Sequence, residues 1–187
     1  LRSEYPTIPI ILDSKRADIG NTNQGYVQHS FEHLEVDAVT VHPYLGQEAL
    51  EPFLQHKDKG IIVLCRTSNP GAGEFQDLEI SGEPLYQHVA KQVSTAWNKN
   101  NNCLLVVGAT YPEEIAAVRT IVGPDMYLLI PGVGAQGGDV QKTVHAGGEN
   151  IIINSSRAIL YASNGMDFAE AARSAAQAAN KVINKYR

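Results

Sequence analysis

Short apolar runs recur along the chain, separated by longer stretches of mixed polarity. The runs cover residues 8–13, 38–42, 60–68, 103–109, 126–131 and 150–155. Runs of this length, apolar throughout rather than alternating, predict strands buried on both faces. The stretches between and after them, 24–35, 47–57, 83–98, 112–122, 139–146 and 167–186, predict helices. Pro112 falls early in one of these and Gly123 just past its end, the usual asymmetry of helix termini. Gly147-Gly148 closes the next, and the last is rich in alanine, the strongest helix former. Strict alternation of such strands with helices predicts a parallel sheet covered by helices.

Six βα units are visible, and an eight-unit barrel takes about 200–250 residues or more. The chain has 187 residues and begins at Leu1, without Met, shortly before its first strand. The expectation is therefore an α/β fold, a TIM (β/α)8 barrel of which six units are present and the first two absent. Residues 1–187 would form one barrel domain, incomplete at its N-terminus; a six-stranded open sheet is the competing architecture. The net charge of −5 and the lack of a basic run argue against nucleic acid as a partner. No apolar stretch approaches membrane-spanning length and the opening residues do not read as a signal peptide, so no membrane association is expected. Cys65 and Cys103 sit inside apolar runs and read as reduced core thiols, which suits a cytoplasmic protein. There is no CxxC pair or HExxH, and the six histidines are scattered, so no metal site is visible.

The candidate chemistry lies where strands end. The first apolar run leads into Asp13-Ser14-Lys15-Arg16-Ala17-Asp18. On a strand, residues two apart share a face, which would put Asp13 beside Lys15, with Asp18 one turn on. An ammonium between carboxylates keeps its proton, as a donor awaiting a carbanion must. A solvated surface salt bridge is the plain alternative. His42, after the second run, reads as a site residue or a hydrogen-bonded structural one. Ser68 and Asn69, after the third, offer neutral groups suited to an amide-rich ring or to a simple turn, and a long polar loop follows them. After the fifth run, Pro131-Gly132-Val133-Gly134-Ala135-Gln136-Gly137-Gly138-Asp139 contains a GxGxxG. The ribose-binding acid that a dinucleotide site wants about 20 residues on is missing. The glycines instead read as letting backbone amides approach a phosphate, with Arg157 at the end of the next strand to clamp it.

Taken together, Asp13-x-Lys15-x-x-Asp18-Ile19 with Asn21-Thr22, the Pro131–Asp139 glycine loop and Arg157 resemble the orotidine 5'-phosphate decarboxylase family, over essentially the whole chain and in the family's order. The resemblance implies cofactor-independent decarboxylation of orotidine 5'-phosphate to UMP and CO2 in pyrimidine biosynthesis. By it, Lys15 protonates the ring carbon after CO2 departs, while Asp13 and Asp18 hold Lys15 and crowd the substrate carboxylate. Ser68 would bind the pyrimidine edge, and Gln136 and Arg157 the phosphate. Pro131, Gly137 and Ser156 would join them in contacting the nucleotide. Asp18 and Thr22 would be lent across the interface of a homodimer with shared active sites. Some members of the family are fused to a phosphoribosyltransferase domain. The family also has an Asp ending its first strand and a Lys ending its second, and neither is matched here.

Three other readings compete: a magnesium-dependent sugar-phosphate lyase or isomerase on the same barrel, a non-catalytic nucleotide-phosphate binder, and a nicotinamide-cofactor enzyme using the GxGxxG.

Overall fold

The computed structural model describes residues 1–133 and 139–187. Its frame is a curved sheet of six parallel strands, a partial (β/α) barrel, with helices packed on its convex side. In chain order the elements are β1 (Ile11–Arg16), α1 (Gly20–Val27, continued by a wider π-helical turn, Gln28–His33), β2 (Ala38–Val41), α2 (Gly46–Leu54) and β3 (Gly60–Arg66). A loop carrying the short helix α3 (Gly73–Gln76) and a small hairpin, β4 (Glu79–Ile80) and β5 (Glu83–Pro84), leads to α4 (Leu85–Gln92, continued by Val93–Trp97). Then come β6 (Cys103–Val107), α5 (Pro112–Val122), β7 (Leu128–Pro131), α6 (Val140–Gly147), β8 (Ile151–Asn154), α7 (Arg157–Leu160) and α8 (Phe168–Asn184). The large sheet runs β1-β2-β3-β6-β7-β8, with each neighbouring pair parallel.

The uninterrupted apolar runs are explained by two packed faces. Val39, Val41, Ile61, Val63, Leu105, Leu128 and Ile130 point outward into the main core under the helices. Their neighbours Ala38, Ile62, Val106 and Leu129 form a second cluster on the concave side, with Ile11, Leu64 and Ile152 packed against it. An alternating amphipathic strand could not serve both faces. Cys65 and Cys103 are buried free thiols, and burial pushes each up to about 12, so neither is a nucleophile near neutral pH. No helix among the described residues is long and apolar enough to cross a membrane.

Two boundaries differ from the sequence reading in ways that matter for the site. The first strand covers Ile11–Arg16, not 8–13, so the charged residues Asp13, Lys15 and Arg16 lie within the strand and only Asp18 lies past its end. Pairing with β2 carries it on to Arg16, which is in register with Val41. Before it, the Asp37 carboxylate accepts from the Ile10 amide at 2.7 Å and from Arg2 at 2.6 Å, which holds that carboxyl below its ordinary range. The last strand stops at Asn154, and Arg157 is instead the first residue of α7.

Candidate active site

The C-terminal strand ends surround a cavity of about 650 Å³ on the concave side. Its floor is apolar, made by Ile11, Leu64, Val106, Leu129 and Ile152, and its rim carries Asp13, Lys15, Ser68, Pro131 and Asn154.

Lys15 and Asp13 meet as the sequence predicts, with Nζ 2.7 Å from Oδ1. The backbone that brings them together is not a regular strand. Lys15 has φ +50°, a left-handed conformation uncommon for a residue with a side chain, and the β1–β2 register slips between Leu12 and Arg16. Such a residue costs on the order of 1–2 kcal/mol. The ion pair does not offset this, because both side chains are about half exposed and pairs of that kind contribute at most about 1 kcal/mol. The fully buried Thr40 on β2 holds the arrangement instead. Its Oγ1 accepts from the Lys15 amide at 2.8 Å and donates to Asp13 Oδ1 at 2.9 Å. One hydroxyl thus fixes both the strained backbone and the carboxylate. Strain kept by a dedicated buried partner at a cavity rim is the pattern of a functional position.

Asp18 does not reach Lys15 within this chain. Its Oδ1 accepts the neighbouring Ile19 amide at 2.8 Å, and it does not line the cavity. The segment is pinned by Asn23, which is fully buried. Its side chain accepts from the Asp18 amide at 2.8 Å and donates to the carbonyls of Asp18 and Ala49. Ile19 and Thr22 are left on the surface. Asp18 makes no side-chain cap on α1, whose capping position is Ile19.

Ser68 follows β3, and its loop is fixed from below by Arg66. That guanidinium is buried and grips Glu114 of α5 with two bonds, at 2.9 and 3.0 Å. It also reaches Asp77 at 3.1 Å and Gln76 at 3.3 Å. Gln76 in turn accepts from the Thr67 amide at 2.8 Å. Burial is the largest single effect and opposes the Arg66 charge, but the hydrogen bond to Glu114 and the negative charges of Glu114 and Asp77 together outweigh it and hold the group above its ordinary value. Gly108, just past β6, lets the Ser68 backbone come close. A Cβ there would lie 2.7 Å from Ser68 Cβ and 3.0 Å from its nitrogen.

A smaller cavity of about 200 Å³ adjoins, lined by Pro131, Gly132, Val133, Asn154, Ser155, Ser156 and Arg157. Gly132 has φ +94°, which only glycine adopts freely. The Arg157 guanidinium is exposed and makes no hydrogen bond among the described residues. Asp139 caps α6, accepting from the Lys142 amide at 3.1 Å. Gln136 and Gly137 lie outside the described residues. His42 donates its backbone amide to the Arg16 carbonyl at 3.0 Å and does not line the large cavity. Among the described residues no three His, Cys, Asp or Glu side chains are grouped to hold a metal.

Sequence reasoning thus missed Thr40, Asn23, Gly108 and the Arg66–Glu114 anchor. Thr40 was hidden as one polar letter in an apolar strand, where its burial is the signal. The others act through contacts 5 to 48 positions apart that hydropathy does not encode.

The family model described as "Orotidine 5'-phosphate decarboxylase / HUMPS family" matches residues 1–174. A protein of Cellvibrio japonicus named orotidine 5'-phosphate decarboxylase is 56% identical, over 98% of this chain and 68% of its own length. One of Ralstonia nicotianae with the same name is also 56% identical, over 100% of this chain and 70% of its own. Among solved structures, Leishmania donovani OMP decarboxylase superposes with a TM-score of 0.81 at 36% identity, covering 95% of this chain and 69% of that one. Leishmania donovani UMP synthase gives 0.82 at 39% identity, covering 94% of this chain and 40% of that one.

The Thr40 bridge makes a prediction. In the natural full-length protein, Thr40→Val removes both of its hydrogen bonds while keeping shape. Turnover should fall by roughly 10- to 100-fold, as expected for about 1–3 kcal/mol at a position that holds Lys15. Thr40→Ser should restore most of it. Steady-state kinetics check this, and a Val variant with unchanged kcat would show that Thr40 does not position Lys15.

Proposed function

The chain belongs to the orotidine 5'-phosphate decarboxylase family, and we propose that Lys15 is the proton donor of its reaction, the decarboxylation of orotidine 5'-phosphate to UMP and CO2. The observation that carries this assignment is the Lys15–Asp13 pair, held on a strained backbone at the rim of a cavity with an apolar floor. Loss of CO2 leaves an electron pair on the ring carbon. The Lys15 ammonium delivers a proton to that carbon, and the carboxylate of Asp13 keeps the ammonium charged and oriented until then. Asp13 also places negative charge near the departing carboxylate, which favours its loss. No step calls for a metal or an organic cofactor.

The nucleotide spans the two cavities. Its phosphate lies in the smaller one, where the exposed Arg157 guanidinium is available beside Ser156, Pro131 and the Gly132 turn. Gln136 and Gly137, which follow Val133 closely in sequence, complete the grip. Its base lies in the larger cavity, with Ser68 at the pyrimidine edge. Binding energy from the remote phosphate helps to hold the reacting carbon in place and to exclude water.

The protein works as a homodimer in which each subunit lends Asp18 and Thr22 to the other's site. Three features support this reading: Asp18 is turned from its own Lys15, Thr22 is exposed, and Ile19 between them is 63% exposed. A two-fold axis beside this edge makes the exchange reciprocal.

Two experiments test these assignments. Arg157→Ala should weaken UMP binding by about 1.5–3 kcal/mol, the range for a charged hydrogen bond. Uridine, which lacks the phosphate, should bind almost as before; equal losses in calorimetry would give Arg157 another role. For the shared site, Lys15→Ala and Asp18→Ala should each be nearly inactive as homodimers. After subunit exchange, one site of each heterodimer has both defects and the other has neither. Activity should return to about half of wild type per heterodimer. If native mass spectrometry shows heterodimers and no activity returns, Asp18 serves its own chain.

A further inference from the structure

The geometry points to Asn154 as a sugar-binding residue: its side-chain carbonyl accepts a hydrogen bond from a ribose hydroxyl of the nucleotide. This rests on the placement of the nucleotide across the two cavities proposed above.

Asn154 is the last residue of β8, in register with Pro131 at the end of β7. Along β8 the side chains alternate. Ile151 and Ile153 pack against the main core, whereas Ile152 joins the concave cluster. Asn154 is therefore on the concave side, one layer above Ile152, where an apolar residue would extend the floor. It is also a residue that lines both cavities, the large one with Lys15 and the small one with Arg157. A group that borders both faces whatever joins a base over Lys15 to a phosphate beside Arg157. In a nucleotide that joining piece is the sugar.

The polarity of the orphaned atom narrows the contact. Asn154 Oδ1 is buried and has no hydrogen-bond partner among the described residues. A buried amide carbonyl left unpaired is costly, so a donor is expected opposite it. A phosphate dianion offers only acceptors and cannot supply that donor. A ribose offers two hydroxyl donors, whereas the ring N–H of the base lies on the pyrimidine edge that the reading above assigns to Ser68. The carbonyl thus selects for the sugar, and the residue helps to distinguish a ribonucleotide from a deoxy analogue.

Calorimetry with the natural full-length protein tests this, using UMP, 2'-deoxy-UMP and 3'-deoxy-UMP. Wild type should bind UMP and should bind one of the deoxy nucleotides more weakly. Asn154→Ala should weaken UMP roughly five- to fifteenfold, as for one net hydrogen bond. It should leave the affected deoxy nucleotide unchanged, because the partner hydroxyl is already gone. Asn154→Leu, which keeps the side-chain volume, serves if the alanine variant does not fold and should behave in the same way. Equal losses for all three ligands, or no loss for UMP, would overturn the assignment of Asn154 while leaving the decarboxylase reading intact. Failure of the wild type to bind UMP would overturn both.

Discussion

The architecture depends on a sheet that is apolar on both faces. Its convex face is sealed by helices, and its concave face closes over a second apolar cluster. Water-seeking groups on the strands are thereby pushed to the strand ends. Asp13, Lys15, Ser68, Pro131 and Asn154 collect at one such end because the strands are all parallel and so finish on the same side. An antiparallel sheet of the same residues would scatter them over two edges. The cavity over an apolar floor follows from the same curvature, and it sets the dielectric in which a charged substrate would meet Lys15.

Within that frame the most demanding position is Lys15. A left-handed lysine is not stabilised by its exposed ion pair, so the backbone there must be imposed by surroundings. Thr40 imposes it from the neighbouring strand, and the Asp37 carboxylate fixes where β1 enters the pairing. The opposite rim is held by different means. Arg66 carries its charge into a buried site where Glu114, Asp77 and Gln76 answer it, and this ties the Ser68 loop to α5. Both sides of the cavity are therefore set by buried polar contacts that reach across elements, which is how a site on loops can be kept rigid.

Much of this was legible in the chain. The six strands were visible because a strand buried on both sides is apolar throughout, and the Asp13–Lys15 pair was visible because the two residues are close in sequence. The pairing was right for an incomplete reason: simple strand alternation does not describe a bulged strand with a left-handed residue. The early end assigned to β1 has the same origin, since charged letters read as the close of a strand when only hydropathy is considered. Arg157 was placed at a strand end rather than in a short helix, because four residues carry too little periodicity to be read. Thr40, Asn23 and Gly108 act through contacts with Asp13, Asp18 and Ser68, which lie 5 to 40 positions away. No local pattern encodes such contacts.

The proposed role of Lys15 is to supply the proton that replaces CO2. It is tested most directly by Lys15→Ala in the natural full-length protein, with UMP affinity and orotidine 5'-phosphate turnover measured on the same preparation. UMP binding should stay within about tenfold of wild type, while turnover should fall beyond the roughly 10²–10⁴ typical of a general acid. Near-normal turnover by a variant that still binds UMP would contradict it.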